Sequence, residues 1–213
     1  MNIENTPIIK NSFYTRYGKR ILDIVISLAV IVMFLPLYLG ISCLVFFCHG
    51  RPILYHSIRP GKDEKLFQIY KFRSMTNQTG SDGKLLPDVQ RTTKFGKFIR
   101  RTSLDEIPEF FNVLKGDMSI IGPRPLLVEY LPLYSERYRR RHCVRPGLIC
   151  ARLHDDGSPW TWGAQFETDI YYIENMSLAL DIRMIAGLFK ELIKGSEVRT
   201  NGTREPFNGR NLW

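Results

Sequence analysis

Residues 24–48, IVISLAVIVMFLPLYLGISCLVFFC, form a run of 25 residues without a formal charge, and this run decides the architecture of the chain. About 20 apolar residues are enough for a helix to cross the hydrocarbon core of a bilayer. Pro36 lies in the middle, where a proline removes a backbone hydrogen bond and bends a helix. Basic residues flank the run on both sides, and such flanks tend to stay cytoplasmic. A re-entrant helix broken at Pro36 satisfies both observations, and a straight or kinked span is the alternative.

The composition bounds the class of protein. The 213 residues carry 30 Lys and Arg against 21 Asp and Glu, which gives a net charge of +9. This length suits one soluble domain with its own core in addition to the apolar run. A basic surplus fits anionic lipid or nucleic acid, and the apolar run favours lipid because a nucleic-acid binder has no use for it. The four cysteines show no CxxC spacing, which predicts free thiols in a reducing cytoplasm.

After the apolar run, the residue patterns predict a mainly helical α/β domain with one short hairpin. Two runs rich in β-branched and aromatic residues, Ile53–Ser57 and Lys65–Phe72, flank the turn Arg59–Lys62 and predict that hairpin. The polar, glycine-containing residues 76–93 predict a loop. Apolar residues at helical spacing predict further helices, one of them interrupted near Pro132: Lys94–Arg101, Leu104–Lys115, Leu126–Arg141, Phe166–Asn175 and Leu178–Lys194.

Residues 100–125, RRTSLDEIPEFFNVLKGDMSIIGPRP, contain the strongest candidate for chemistry, the adjacent carboxylates Asp105 and Glu106. Ser103 and Glu106 also match a capping box, in which both acids only stabilise a helix start. Pro108 favours a helix that begins there, because proline is tolerated best at the first helical position. Either way the pair lies at a helix N-terminus, which suits phosphate. Neighbouring helical side chains diverge by about 100°, so one acid can bind metal or attack while the other acts as base.

Basic residues supply the second part of this candidate site. Prolines on both sides of Arg124 fix its backbone, so that it either presents its guanidinium with little entropy to lose or belongs to a structural turn. Other cations could surround a phosphate ester, or each could be a solvated surface residue: Arg100, Arg101, Lys71, Arg73 and Arg145. Other chemistries lack their motifs, since the chain has no Walker A loop, no GxGxxG, no nucleophile-elbow serine and no metal-ligand spacing of histidines.

Taken together, these blocks resemble the small monotopic phosphoglycosyl transferases, within the bacterial sugar transferase family. The similarity runs nearly from end to end, and it is greatest to the bacillosamine-phosphate transferases of bacterial N-glycosylation. The residues that carry it, besides the proline-broken run, are Lys19-Arg20 with Asp23, Phe67–Met75, Thr102–Glu106, Asn112–Ser119, Gly122–Pro125 and Val144–Gly147. The resemblance implies that residues 1–50 are an N-terminal segment and re-entrant anchor, 51–195 the catalytic domain and 196–213 a tail.

The resemblance also implies a two-step reaction at the cytoplasmic face of a bacterial membrane. Asp105 would attack the β-phosphorus of a UDP-sugar with the help of Mg²⁺, which it also ligates, and would release UMP. Glu106 would assist undecaprenyl phosphate in taking over the phosphosugar, giving a polyprenol-diphosphate sugar. Substrate and phosphate binding falls to the cations named above, except Arg101, and to Asp169. The implied partners are the two substrates and the lipids of the inner membrane, with no nucleic acid, and a homodimer remains open.

Two stretches depart from the pattern of that family. Leu35 stands where the family usually has a serine before the anchor proline, so the kink rests on Pro36 and nearby packing. After Val144–Gly147 the family typically reads ITGWAQVNGRN, whereas residues 148–158 here read LICARLHDDGS. This replacement predicts altered sugar or nucleotide selection, or a weakened site. One alternative function is therefore an inactive, lipid-docked scaffold, which would release no UMP. A second alternative, based on the net positive charge, is a nucleic-acid binder, which would show salt-sensitive binding to DNA or RNA.

Overall fold

A computed structural model describes residues 9, 11–150, 160–194 and 205–213, and for 189–194 the backbone alone. Within those ranges the chain is mainly helical, with two small two-stranded sheets. The elements in chain order are α1 (Lys19–Met33), α2 (Leu35–His49), β1 (Leu54–Pro60), β2 (Leu66–Phe72), α3 (Asp88–Arg91), α4 (Lys94–Arg101), α5 (Glu109–Lys115), β3 (Ser119–Ile121), α6 (Glu136–Arg139), β4 (Gly147–Ile149), α7 (Trp162–Glu174) and α8 (Leu178–Lys194).

Helices α1 and α2 form a bent pair in place of one straight helix. They meet at Phe34, whose φ of −95° and ψ of 10° leave the helical region. Pro36 lies in the first turn of α2, where its missing N–H is tolerated. Among the described residues no individual helix is long and apolar enough to cross a bilayer. The pair Tyr14–Met33 and Leu35–His49, bent by 63°, meets the test of length and composition when taken together.

Charged residues at the start of α1 attach the bent pair to the rest of the protein. Lys19 forms an ion pair with Asp181 of α8 at 2.7 Å. Arg20 donates hydrogen bonds to the last carbonyls of α5, where a cation also complements the helix dipole. The buried carboxylate of Asp23 accepts hydrogen bonds from the Ser119 hydroxyl and the Ile120 N–H, both at 3.0 Å. The apolar end of α1 is exposed at Val32 and Met33, whereas Asp23 and Ser27 in its first half are buried.

The hairpin predicted from the sequence is confirmed. Strands β1 and β2 pair antiparallel, with Leu54 opposite Phe72 and Pro60 opposite Leu66. The turn is shorter than predicted, because Arg59 and Pro60 extend β1 and the chain reverses at Gly61 and a 3-10 turn. This extension places Arg59 on the hairpin itself, opposite Phe67, and its side chain lines the same two cavities as Lys71 of β2.

The helix predictions are partly confirmed. The bounds of α4 and α8 agree with the predicted ranges, and α7 begins earlier than predicted, at Trp162, because the Thr161 side chain caps the Ala164 N–H at 3.1 Å. The prediction of one helix over Leu126–Arg141 is wrong. Two 3-10 segments, Val128–Leu133 and Arg140–Cys143, flank the four-residue α6 instead, since Pro132 cannot continue a regular helix.

A parallel strand pair, which the sequence analysis did not predict, closes the domain. Ser119 of β3 is opposite Gly147 of β4, and Ile121 is opposite Ile149. The two chains approach very closely beside this pair, because a Cβ on Gly147 would lie 2.0 Å from the Gly122 nitrogen. Glycine is therefore required at Gly147, and the close approach fixes the turn that carries Arg124.

Three hydrophobic clusters hold the elements around the candidate site. The first joins Val113 and Met118 to Tyr172 of α7, and the second packs Tyr130, Trp162 and Phe166 against Phe207. Phe207 is 4% exposed, so the described part of the predicted tail is packed on the domain. The third cluster joins α2 to the hairpin and to α4 through Ile41, Val45, Phe72 and Ile99. The bent helix pair is therefore packed directly against the two elements that carry the candidate site.

Candidate active site

The acid pair lies in a tight turn between two helices. Helix α4 ends at Arg101, Ser103 adopts a left-handed conformation with φ of 55°, and Leu104–Glu106 form a single 3-10 turn. The capping-box prediction is wrong, because the Ser103 side chain makes no capping bond and its carbonyl accepts the Glu106 N–H at 3.2 Å. The alternative is confirmed: helix α5 begins after Pro108, and Asp105 and Glu106 precede it.

Both carboxylates face a cavity of about 620 Å³ between the hairpin, the 76–93 segment and the end of α4. Its walls mix apolar groups, such as Phe72 and Met75, with hydroxyl and cationic groups. The remaining polar and charged residues that line it are Tyr55, Ser57, Arg59, Lys71, Arg73, Ser74, Asn77, Asp88, Arg91, Arg100 and Ser103. A cavity of this volume, rich in cations, can hold a phosphorylated ligand of moderate size.

Two cations converge on Glu106. Lys71 Nζ lies 2.6 Å and Arg124 Nη2 lies 3.2 Å from the same oxygen, Glu106 Oε1. Burial alone would raise the pKa of the Glu106 carboxyl, but Arg124 and Lys71 hold that pKa below its usual value. Glu106 is therefore an ionised, firmly oriented carboxylate at neutral pH.

Asp105 has a different environment from its neighbour. Among the described residues, no Lys or Arg nitrogen lies within 4 Å of its carboxylate. Burial and the adjacent charge of Glu106 raise the pKa of Asp105, and the more distant Lys71 and Arg100 oppose this rise. The two acids therefore differ: Glu106 is held by two cations, whereas Asp105 faces the cavity without an ion pair among the described residues.

The predicted phosphate-binding cations divide into two groups. Arg100 donates from Nε to the Ser74 hydroxyl at 2.7 Å, and Arg73 donates to the Pro52 carbonyl at 3.0 Å, and both line the cavity of the acid pair. Arg145 lies elsewhere: its Nε donates to the Gly116 carbonyl at 2.8 Å, and it lines a separate cavity of about 120 Å³. The structure thus brings Lys71, Arg73, Arg100 and Arg124 to the acid pair and places Arg145 at a different surface.

Asp169 is linked to the site only through other residues. Its carboxylate forms an ion pair with Arg141 at 2.7 Å, with side chains that are 1% and 2% exposed. Arg141 in turn donates to the Arg124 carbonyl at 2.9 Å and to the Tyr134 hydroxyl at 3.0 Å. The thiol of Cys150 lies 3.6 Å from the other Asp169 oxygen. Asp169 therefore contributes to fixing the backbone of the Gly122–Pro125 turn, at whose tip Arg124 reaches Glu106.

Two residues that the sequence analysis did not propose for this site are Glu109 and Arg59. Glu109 is 3% exposed, and its Oε1 lies 3.1 Å from Lys71 Nζ. Burial raises the pKa of Glu109 to about 7, with Lys71 opposing the rise. Glu109 follows Glu106 by three residues, the spacing that puts two helical side chains on one face, and this was the available signal. Arg59 gave no signal of its own because it lay in the predicted turn.

The carboxylates of the acid pair would suit Mg²⁺ in one arrangement, in which substrate oxygens complete the set of ligands. No group of three or more His, Cys, Asp and Glu side chains within the described ranges is arranged to enclose a metal ion. Mg²⁺ is commonly held by one or two carboxylates and by the phosphates of its substrate. Glu106 is occupied by two cations, so Asp105 is the carboxylate that would hold the ion together with substrate oxygens. The sequence of segment 148–158 departs from the family pattern, and its residues 151–158 lie outside the described structure.

An acid without an ion pair and an oriented acid thus face a cationic cavity, an arrangement that suits a phosphate ester. Residues 14–195 match the family model described as bacterial sugar transferase, and the chain belongs to this family. This confirms the family resemblance, whereas the closer similarity to bacillosamine-phosphate transferases stays a prediction.

Similar proteins have been named in several bacteria. The chain is 38% identical over 193 residues to an uncharacterized sugar transferase, EpsL, of Bacillus subtilis strain 168, covering 90% of this chain and 96% of that protein. It is 36% identical to the UDP-N-acetylgalactosamine-undecaprenyl-phosphate N-acetylgalactosaminephosphotransferase of Aeromonas hydrophila, covering 85% of this chain and 45% of that protein. It is also 36% identical to the UDP-glucose:undecaprenyl-phosphate glucose-1-phosphate transferase of Klebsiella pneumoniae, covering 83% and 40%. The chain therefore spans nearly all of the first relative and less than half of the other two.

Proposed function

We propose that this protein transfers a sugar 1-phosphate from a UDP-sugar to undecaprenyl phosphate at a bacterial cytoplasmic membrane, as the first membrane step of glycoconjugate assembly. The products would be UMP and an undecaprenyl-diphosphate sugar. The names of the relatives from Aeromonas and Klebsiella support the substrate classes. The observation that carries the proposal is the contrast within the acid pair, where Asp105 faces the cavity unpaired and Glu106 is held by Lys71 and Arg124.

The reaction would proceed in two steps through Asp105. A carboxylate oxygen of Asp105 forms a bond to the β-phosphorus, and the bond from that phosphorus to the oxygen bridging the two phosphates breaks, so that UMP leaves with the electron pair. A phosphate oxygen of undecaprenyl phosphate then attacks the same phosphorus, and the bond to Asp105 breaks. Glu106 would orient or deprotonate the acceptor phosphate. Dividing the transfer in this way means that nucleotide and lipid need not occupy the cavity together.

The surrounding cations would stabilise charge on the transferred phosphoryl group. Glu106 orients Lys71 and Arg124, and the Ser74 hydroxyl orients Arg100, before substrate arrives. When bound through Asp105 and substrate oxygens, Mg²⁺ would supply additional neutralisation of phosphate charge. These residues would hold the β-phosphate in line with the Asp105 oxygen.

The bent helix pair would place the site at the height of the lipid headgroups. Its apolar residues are exposed, including Val32, Met33 and Phe47 at 65%, 65% and 81%. Burial of such a surface in lipid is favourable by about 25 cal/mol per Å². Because α2 packs on Phe72 and Ile99, next to the acid pair, a re-entrant insertion of the pair would bring the acceptor phosphate close to Asp105. With both flanks on one side, the site would face the cytoplasm.

The test is the release of UMP by detergent-purified protein with Mg²⁺, undecaprenyl phosphate and a panel of UDP-sugars. We expect release with a limited set of sugars, and a loss of about a thousandfold or more in Asp105→Asn. Asp82→Asn is a matched control, because Asp82 lies in an exposed turn. Folded protein that releases no UMP with any sugar would contradict the proposal and support the scaffold alternative.

A further inference from the structure

Glu109 presents a buried carboxylate oxygen whose described partner, Lys71, is shared with a second acid, Glu106. The residue is 3% exposed, and apart from Lys71 Nζ, which lies 3.1 Å away as an ion-pair contact, Oε1 has no hydrogen-bond partner among the described residues. A buried carboxylate oxygen whose hydrogen-bonding capacity is not fully used is costly, and more so when it is charged. Buried groups of this kind call for a specific reason, and a ligand that donates a hydrogen bond is one such reason.

A second cavity provides the space for such a ligand. It has a volume of about 240 Å³, and Glu109 lines it together with Arg59, Lys71 and Arg124. Apolar walls face these charges, contributed by Pro125, Leu126, Leu127 and Tyr130. A few polar groups against apolar walls are typical of pockets that fix the orientation of a small ligand.

The second cavity adjoins the cavity of the acid pair. Arg59, Ile69 and Lys71 line both of them, so one ligand can extend from the first cavity into the second. Arg124 reaches Glu106 from the second cavity at 3.2 Å, which marks the point where a phosphate would lie between the two. The group bonded to that phosphate would then enter the second cavity and meet Glu109.

We propose that the second cavity is a subsite for the nucleotide-sugar donor, in which Glu109 accepts a hydrogen bond from an O–H or N–H of the group attached to the phosphate. This inference rests on the proposed function and deepens it. Both ends of a UDP-sugar carry such donors, namely the hydroxyl or amide groups of the sugar and the ribose and uracil groups of the nucleotide. Glu109 would be a specificity-determining residue, separate from the acid pair that makes and breaks bonds.

The test measures binding without turnover. In the Asp105→Asn background, the affinities for UMP and for a panel of UDP-sugars are measured by titration calorimetry, with and without Glu109→Gln. Gln keeps the size of the side chain but loses the charge that strengthens the hydrogen bond, so we expect about tenfold or greater weakening. Glu174→Gln is the matched control, because Glu174 is an exposed carboxylate paired with Arg140 at 2.9 Å. Unfolding curves establish that each variant is folded.

The outcomes separate the two sources of the ligand group. Weaker binding of UDP-sugars with unchanged UMP affinity supports the proposal and assigns the cavity to the sugar, with a changed order of preference among sugars. Weaker binding of both UMP and UDP-sugars supports it and assigns the cavity to the nucleotide. Unchanged affinity for all of them in folded Glu109→Gln overturns the inference while leaving the proposed function intact. No binding of any UDP-sugar by folded Asp105→Asn, together with no UMP release by the unmodified protein, would overturn both.

Discussion

Replacement of Asp169 by Asn should lower the free energy of unfolding, because Asp169 holds the fold and does not contact substrate. The Asp169 and Arg141 side chains are 1% and 2% exposed and lie 2.7 Å apart. Burial raises the pKa of the Asp169 carboxyl, and the charge of Arg141 opposes this rise. Asp169 therefore stays charged in the interior because Arg141 is beside it. Removal of one partner from such a pair leaves an unpaired buried charge and costs about 3–5 kcal/mol. Because Asn can still accept one hydrogen bond, we take the lower end, about 3 kcal/mol.

A loss of this size is a large fraction of the 5–15 kcal/mol that separates most folded domains from their unfolded chains. The assay is urea-induced unfolding of detergent-purified protein, followed by tryptophan fluorescence. Glu174→Gln is the control, since it neutralises a carboxylate of the same helix that is exposed and paired with Arg140. Glu174 lies at the surface, where an ion pair contributes about 0–1 kcal/mol, so this control should unfold nearly like the unmodified protein.

The competing interpretation is the sequence-based one, in which Asp169 binds substrate. It predicts that Asp169→Asn keeps its stability within about 1 kcal/mol and instead raises the KM for the UDP-sugar. That result would refute the argument from the buried pair. The buried pair instead predicts that any effect on activity comes through the backbone of Arg124, because Arg141 donates a hydrogen bond to the Arg124 carbonyl.

Two further predictions concern residues that surround the site. Gly147→Ala should destabilise the fold by about 2 kcal/mol or more in the same unfolding assay, because its Cβ would lie 2.0 Å from the Gly122 nitrogen. Gly40→Ala is the control and should be neutral, because a Cβ there would have no atom within 4 Å. Burial lowers the pKa of His142 to about 4. Between pH 4 and about 6.5 the unfolded chain therefore binds more protons than the folded protein. The free energy of unfolding should fall by up to about 3 kcal/mol as the pH falls through that window. The His142→Phe variant should lose less free energy of unfolding over the same pH range. An equal loss would show that His142 is not the residue responsible.

The parts of the fold that could be predicted from the sequence are those fixed by local patterns. The hairpin and helices α4 and α8 follow from β-branched runs and from helical spacing of apolar residues. The β3–β4 pair could not be predicted in this way, because it joins Ser119 to Gly147 across 28 residues and each strand has only three residues. Its signal is the close contact of two glycines, which becomes visible only when both segments are placed in space.

The candidate site shows the same division. Asp105, Glu106 and Arg124 could be proposed from the sequence, because a purely structural role explains each of them alone but not their occurrence together. The capping box failed because Ser103 takes a left-handed conformation, which no residue pattern around it required. Glu109 was missed because its burial beside Lys71 depends on the packing of α5 against β2.

The central claim is the covalent role of Asp105, and the most direct measurement is the mass of the intact protein during the first half of the reaction. Protein mixed with Mg²⁺ and the UDP-sugar that supports UMP release, without undecaprenyl phosphate, should gain the mass of one sugar phosphate. Peptide mapping should place this mass on Asp105, and later addition of undecaprenyl phosphate should remove it. UMP release that requires undecaprenyl phosphate from the start, with no gain of mass at any time, would contradict the covalent mechanism and indicate direct transfer.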